Sequence, residues 1–125
     1  MEITSLLLVF KEFRDWILGI DKANLEHNKE DKLALKSIYI ALSETKSYFT
    51  DRISAPQDRK REAQISRLWF EASTELKNVN QDLAQRCFLK GDFWTDPNNW
   101  QQKDGEKINI SLDEMTKLSR ELLFI

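Results

Sequence analysis

Apolar residues recur along this chain at alternating steps of three and four, the spacing that marks one face of an α-helix. Leu6, Phe10, Phe13, Ile17 and Ile20 follow it first, with Val9 and Trp16 widening the stripe and Gly19 placed to end it. The stretch from Asp21 to Asn28 is polar apart from Ala23 and Leu25 and reads as a connection. A second stripe runs through Leu35, Ile38, Leu42, Thr45 and Phe49, flanked by Ala34, Ala41 and Tyr48. Asn28 is suited to cap this helix, with Asp31 in its first turn, and Pro56 to stop it.

The third pattern is the longest. From Gln57 or Asp58 onward, Ile65, Leu68, Trp69, Ala72, Leu76, Val79 and Leu83 keep helical register. Asp58 and Glu62 suit the positive end of such a helix, Arg86 and Lys90 the negative end, and Gly91 the position just past it. A helix of about 32 residues would reach roughly 48 Å. The pattern then breaks until Lys107, with Asp96-Pro97 predicting a short helical turn through Trp100. Ser111 and Glu114 match a capping box, and Ile110 with Met115 a hydrophobic staple, so a fourth helix is predicted to begin there. Leu112, Met115, Leu118 and Leu122 supply its apolar side.

The fold class expected is therefore all-α. The chain is predicted to form one helical-bundle domain over residues 1–125, an antiparallel up-down four-helix bundle. It has a long third helix, a shorter fourth helix and an aromatic-rich loop between them. Composition adds support: 41% of residues are hydrophobic and 32% charged, with only three Gly and two Pro, too few breakers for a many-stranded sheet fold.

Charge and targeting signals change the picture little. The net charge is −2, although residues 31–67 hold eight basic and five acidic side chains. The run Leu6 to Phe10 is cut short by Lys11 and Glu12, and no stretch approaches the roughly 20 apolar residues of a spanning helix. A cytoplasmic protein with no membrane partner is expected.

Candidate chemistry is sparse. His27 is the single histidine and lies in a polar connection. Cys87 is the single cysteine, which rules out an intrachain disulfide and favours packing as a small hydrophobe. No Glu-x-x-His pair or Cys/His cluster offers a metal site, and Glu71 with Glu75 reads as a solvated face. The glycines stand singly, so no phosphate-cradling loop is present. No catalytic, metal or cofactor-binding residue is expected.

Two features carry the expectation of binding. Arg52, Arg59, Lys60, Arg61 and Arg67 gather cations near the second turn, where phosphates of a nucleic acid could be contacted. Interleaved Asp51, Asp58 and Glu62 supply the alternative, a salt-bridged helix end. Phe88, Phe93, Trp94 and Trp100 concentrate aromatics in and beside the third loop. They either cap the core or present a recognition loop to another protein. The leading expectation is a non-enzymatic protein-protein interaction module, an adaptor, regulator or inhibitor, with a protein partner or a second copy as a homodimer. A nucleic-acid-binding accessory protein is the alternative, and an enzyme with an unrecognised site the third reading.

Overall fold

A computed structural model describes residues 11–20, 28–100 and 105–123, with side chains for all of these except 99 and 105–112. Among the described residues all regular structure is helical. Helix α1 covers 11–18, α2 Lys29–Asp51, α3 Arg59–Leu76, α4 Gln81–Phe93 and α5 Gly105–Leu123, with a 3-10 turn at Pro97–Asn99. Leu6, Val9, Phe10, the connection with His27, and the side chains of Ile110, Ser111 and Leu112 lie outside the described residues.

Several helix ends follow their local chemistry. The N–H of Gly19 closes α1 by donating to the carbonyls of Asp15 and Trp16. Asn28 caps α2 by accepting the Asp31 N–H at 3.1 Å, and Asp58 caps α3 by accepting the Arg61 N–H at 3.0 Å. Asp96 accepts the Asn98 N–H at 2.9 Å and sets Pro97 as the first residue of the 3-10 turn.

The long third helix does not form. Lys77 to Asn80 break it, and the Asn80 side chain accepts the Leu83 N–H at 3.1 Å to start α4 afresh, with Asp82 in its first turn. Leu76, Val79 and Leu83 preserve helical spacing through the break, which hides it from periodicity. What favours the break is packing of α4 back along α3. Ser73 donates to the Ala84 carbonyl at 2.6 Å, and Ser66 donates to the Gly91 carbonyl in the last turn of α4. The pairing of a later α3 residue with an earlier α4 residue sets the two helices in opposite senses. The hydroxyls also satisfy α4 carbonyls at a closely packed, buried interface.

Gly91 therefore lies inside α4, not beyond a helix end, and no described glycine has a positive φ. Space explains it: a Cβ at Gly91 would stand 2.7 and 2.8 Å from Cδ1 and Cε1 of Phe70. Gly91→Ala should gain helix propensity of about 1 kcal/mol yet lose about 1–3 kcal/mol to overpacking. Urea denaturation is expected to show net destabilisation that disappears in a Phe70→Ala background. An equal effect in both backgrounds would count against the contact.

The last helix also departs from expectation. Its backbone is already helical at Gly105, so Ser111 sits inside α5 and does not cap it. At 19 residues α5 is longer than α3 or α4, with 18 and 13, and the expected shorter fourth helix is corrected.

Helix α2 is central, packing against α3 on one side and α5 on the other. Its Ala34, Leu35, Ile38, Ala41, Leu42, Tyr48 and Phe49 are all buried, as are Phe13 and Ile17 of α1 and Met115 and Leu122 of α5. Inside this core the Thr45 hydroxyl donates to the Ala41 carbonyl and accepts the Trp69 indole N–H at 3.0 Å, so α2 and α3 are tied by a satisfied polar pair. Ion pairs Arg14–Glu114 and Glu12–Arg86 link α1 to α5 and α4 at the surface.

Candidate functional site

The two regions singled out by sequence meet at one end of the fold. Helix α2 brings Tyr48, Asp51 and Arg52 to the turn, α3 brings Arg59, Arg61 and Glu62, and the segment after α4 brings Trp94 and Trp100. Glu62 is the hub. It is only 2% exposed, and its carboxylate accepts from the Tyr48 hydroxyl and from Gln57 Nε2 at 3.0 Å and forms an ion pair with Arg59, Nε standing 3.3 Å away. Tyr48 in turn accepts the Asp58 N–H at 3.0 Å, and Gln57 also donates to the Pro97 carbonyl at 2.9 Å. A buried carboxylate is tolerable when donors surround it in this way. The network fastens α2, the α2–α3 turn, α3 and the 3-10 turn together.

Burial, assisted by the hydrogen bond to Glu62, pushes the Tyr48 phenol up from 10.0 to about 12. The folded state then holds this proton more tightly than the unfolded chain does. Its stabilising effect is complete below pH 10 and is lost as pH rises towards 12. The stability advantage of the native protein over Tyr48→Phe is expected to shrink across that window in denaturation series. An advantage that stays constant to pH 12 would contradict the Tyr48–Glu62 arrangement.

The aromatic residues divide. Trp94 and Trp100 are 2% and 1% exposed, with ring centroids 4.1 Å apart, and Trp100 meets Tyr48 at 5.0 Å and Phe49 at 5.5 Å. The Trp100 indole N–H donates to the Trp94 carbonyl at 2.9 Å. These two rings close the end of the core, so they offer no surface to a partner. Phe93 is partly buried, edge-on to Trp94, with the ammonium of buried Lys90 at 4.0 Å over its ring. Phe88 lies in α4, 54% exposed and against Phe70.

The basic residues surround this end without forming one phosphate track. Arg61 donates to Asp51 at 2.6 Å and to Ser47 at 3.0 Å, and its guanidinium stands 5.3 Å over the Tyr48 ring. Arg59 is engaged by Glu62, and half-buried Arg52 donates to the Ala55 carbonyl at 3.3 Å. Lys60 and Arg67 are exposed. Arg52 and Arg61 share a cleft of about 470 Å³ with Asp51 and Asp58, whereas Arg59 and Arg67 line a separate one of about 250 Å³. Carboxylates thus answer two of the five cations directly.

A surface that the sequence reading passed over lies on α2. Leu33 and Ile40, one heptad apart, are 53% and 38% exposed. Leu33 borders a groove of about 330 Å³ together with Lys29, Lys32, Lys36 and Leu123. Its signal was present in the sequence: both residues stand outside the Leu35-Ile38-Leu42 seam, leaving α2 apolar over more than the face its neighbours cover.

Cys87 is fully buried, and burial pushes its thiol far above the ordinary range, away from the thiolate that nucleophilic chemistry needs. Glu71 and Glu75 are exposed. Among the described residues no group of three or more His, Cys, Asp or Glu is placed to hold a metal, and no helix is long and apolar enough to cross a membrane. Comparisons of the chain with protein families, curated proteins and solved structures find no match.

Proposed function

We propose that this helical protein is a non-catalytic interaction module that docks an acidic amphipathic helix of another protein on the outer face of α2. The observation that carries this reading is exposed Leu33 in a groove with Lys29, Lys32, Lys36 and Leu123, with exposed Ile40 one heptad further along α2. Leucine and isoleucine at heptad spacing form the apolar line against which a second helix packs. Lysines are the charged side chains among the groove's described lining, so charge complementarity calls for Asp and Glu on the partner. The reading of a non-catalytic protein is supported by the state of the reactive groups: the Cys87 thiol is buried, and the Glu62 carboxylate is taken up by two hydrogen-bond donors and an ion pair with Arg59.

The reading moves the contact away from Trp94 and Trp100, whose removal would disturb the core before it touched any interface. The test is affinity capture from native cells with three forms of the protein. Leu33→Asp and Lys32→Glu/Lys36→Glu alter the surface without entering the core and are expected to weaken retention of one protein partner at least tenfold. A Phe88→Ala control should retain it. Captured nucleic acid, insensitive to the α2 variants and released by salt, would overturn the reading in favour of the basic turn. A second copy of this chain as the captured species would overturn the choice of partner.

A further inference from the structure

We infer that the groove between the first half of α2 and the end of α5 also takes a single-chain fatty carboxylate, which competes there with the partner helix. The competition rests on the docking reading above, whereas binding of the fatty carboxylate stands on the groove alone. Leu33, 53% exposed on α2, and Leu123, partly buried at the end of α5, both line this groove of about 330 Å³. Three of its five described lining residues are lysines, yet the wall it exposes is almost entirely carbon. The methylene stems of Lys29, Lys32 and Lys36 therefore form its sides, and their ammonium groups stand at the rim in solvent.

The charge of the rim selects the head group of the occupant. Lys29, Lys32 and Lys36 follow one another at steps of three and four along one side of α2, and none forms an ion pair among the described residues. No carboxylate stands in the described lining, and Glu30 and Asp31, the acidic residues of the first turn, lie outside it. The polar end of the occupant is therefore an anion, met at the solvent edge where neither charge has to be buried. A second cleft of similar volume, lined by Tyr39, Ser43, Lys46 and Arg120, also holds cations but exposes mostly polar atoms, and so has no wall for an alkyl chain.

An unbranched chain ending in one carboxylate matches both halves of the groove, its methylenes along the Leu33–Leu123 wall and its head at the lysine rim. The volume is at the low end of the roughly 300–1,000 Å³ of small-molecule sites, which suits one chain and not the two of a phospholipid. Burial of methylenes supplies the attraction, and the lysines supply the preference for a negative head. The partner helix brings the same pair of features, an apolar side chain beside carboxylates, to the same wall. The two ligands therefore exclude one another.

Sodium laurate below its micelle concentration is the probe, titrated into the full chain while the leucine methyl resonances are followed by NMR. The Leu33 and Leu123 methyls are expected to shift saturably, at Kd about 0.1 mM. Hexanoate, with a shorter chain, and dodecyltrimethylammonium, with the same chain and the opposite charge, should each bind about tenfold more weakly or worse. Lys32→Glu/Lys36→Glu should weaken laurate about tenfold, and Lys60→Glu, at an exposed lysine of α3, should leave it unchanged. Absence of a saturable shift, equal binding of dodecyltrimethylammonium, or full affinity in Lys32→Glu/Lys36→Glu would each overturn the assignment. Binding to phosphatidylserine vesicles without binding of monomeric laurate would overturn it too, in favour of a membrane surface. Laurate should also release the partner retained through α2, and a partner that stays bound at saturating laurate would overturn the competition. The two readings fail separately: methyl shifts with no captured partner sink the docking reading alone, and a captured partner with no methyl shifts sinks this inference alone.

Discussion

Trp100→Ala is expected to lower the unfolding free energy by about 3–5 kcal/mol, the range for truncating a buried large aromatic. The indole is 1% exposed and packs within 4.1–5.5 Å, centroid to centroid, of Trp94, Tyr48 and Phe49. Its N–H is also the donor that engages the Trp94 carbonyl, so alanine removes a polar contact along with the packing. Native domains have only about 5–15 kcal/mol in all, and the Trp94→Ala/Trp100→Ala double variant is expected to be largely unfolded at 37 °C. Phe88→Ala, at a position 54% exposed, should cost less than about 1 kcal/mol. Urea denaturation followed by circular dichroism separates the cases. Equal, small effects at positions 88 and 100 would mean that Trp100 is a surface group.

The second large effect belongs to Glu62. Glu62→Ala orphans the buried Tyr48 hydroxyl as a donor and takes one of two acceptors from the exposed Gln57 amide, which keeps the Pro97 carbonyl. A loss of about 1–3 kcal/mol, set by the Tyr48 hydroxyl, is expected. Glu62→Gln keeps one acceptor oxygen but turns an amide NH2 towards other donors, so it should fall between alanine and the native residue. Because Gln57 also holds the Pro97 carbonyl, hydrogen exchange should accelerate at Trp94 to Trp100 in both variants more than in α5. Exchange that rises uniformly along the chain would contradict a local fastening.

How far the sequence discloses this protein depends on whether a feature is local. Asn28, Asp58 and Asp96-Pro97 carry their structural roles within three residues of themselves, and each acts where the pattern places it. The seam of α2 and the pair Phe13 and Ile17 in α1 likewise follow from periodicity alone. The break at Lys77 to Asn80 does not, since Leu76, Val79 and Leu83 keep helical spacing through it. Asn80 followed by Asp82 offered a cap signal, and the heptad-spaced small residues Ser66/Ser73 and Ala84/Gly91 marked two faces able to approach closely.

Glu62 and Gly91 show the limit more sharply. An acidic residue in the first turn of a helix is explained by the helix dipole, and the same residue is here the buried acceptor of two side chains and the ion-pair partner of a third. Gly91 has the position of a helix terminator but serves to admit the Phe70 ring. In both cases the deciding partner comes from another helix or turn, which no local pattern encodes. The aromatic cluster was equally ambiguous, because a composition rich in Trp and Phe is shared by core caps and by recognition loops. Packing on Tyr48 and Phe49 resolves Trp94 and Trp100 as core, while Phe88 is 54% exposed on α4.

Site-specific photo-crosslinking in native cells tests the central claim most directly, with a photoreactive phenylalanine analogue in place of Leu33 in one form and of Phe88 in another. The expected result is a single stoichiometric adduct from position 33, joined to an acidic amphipathic segment of another protein, and none from position 88. An adduct from position 88 alone, or none from position 33 while a partner still co-purifies, would contradict the assignment of α2 as the binding face.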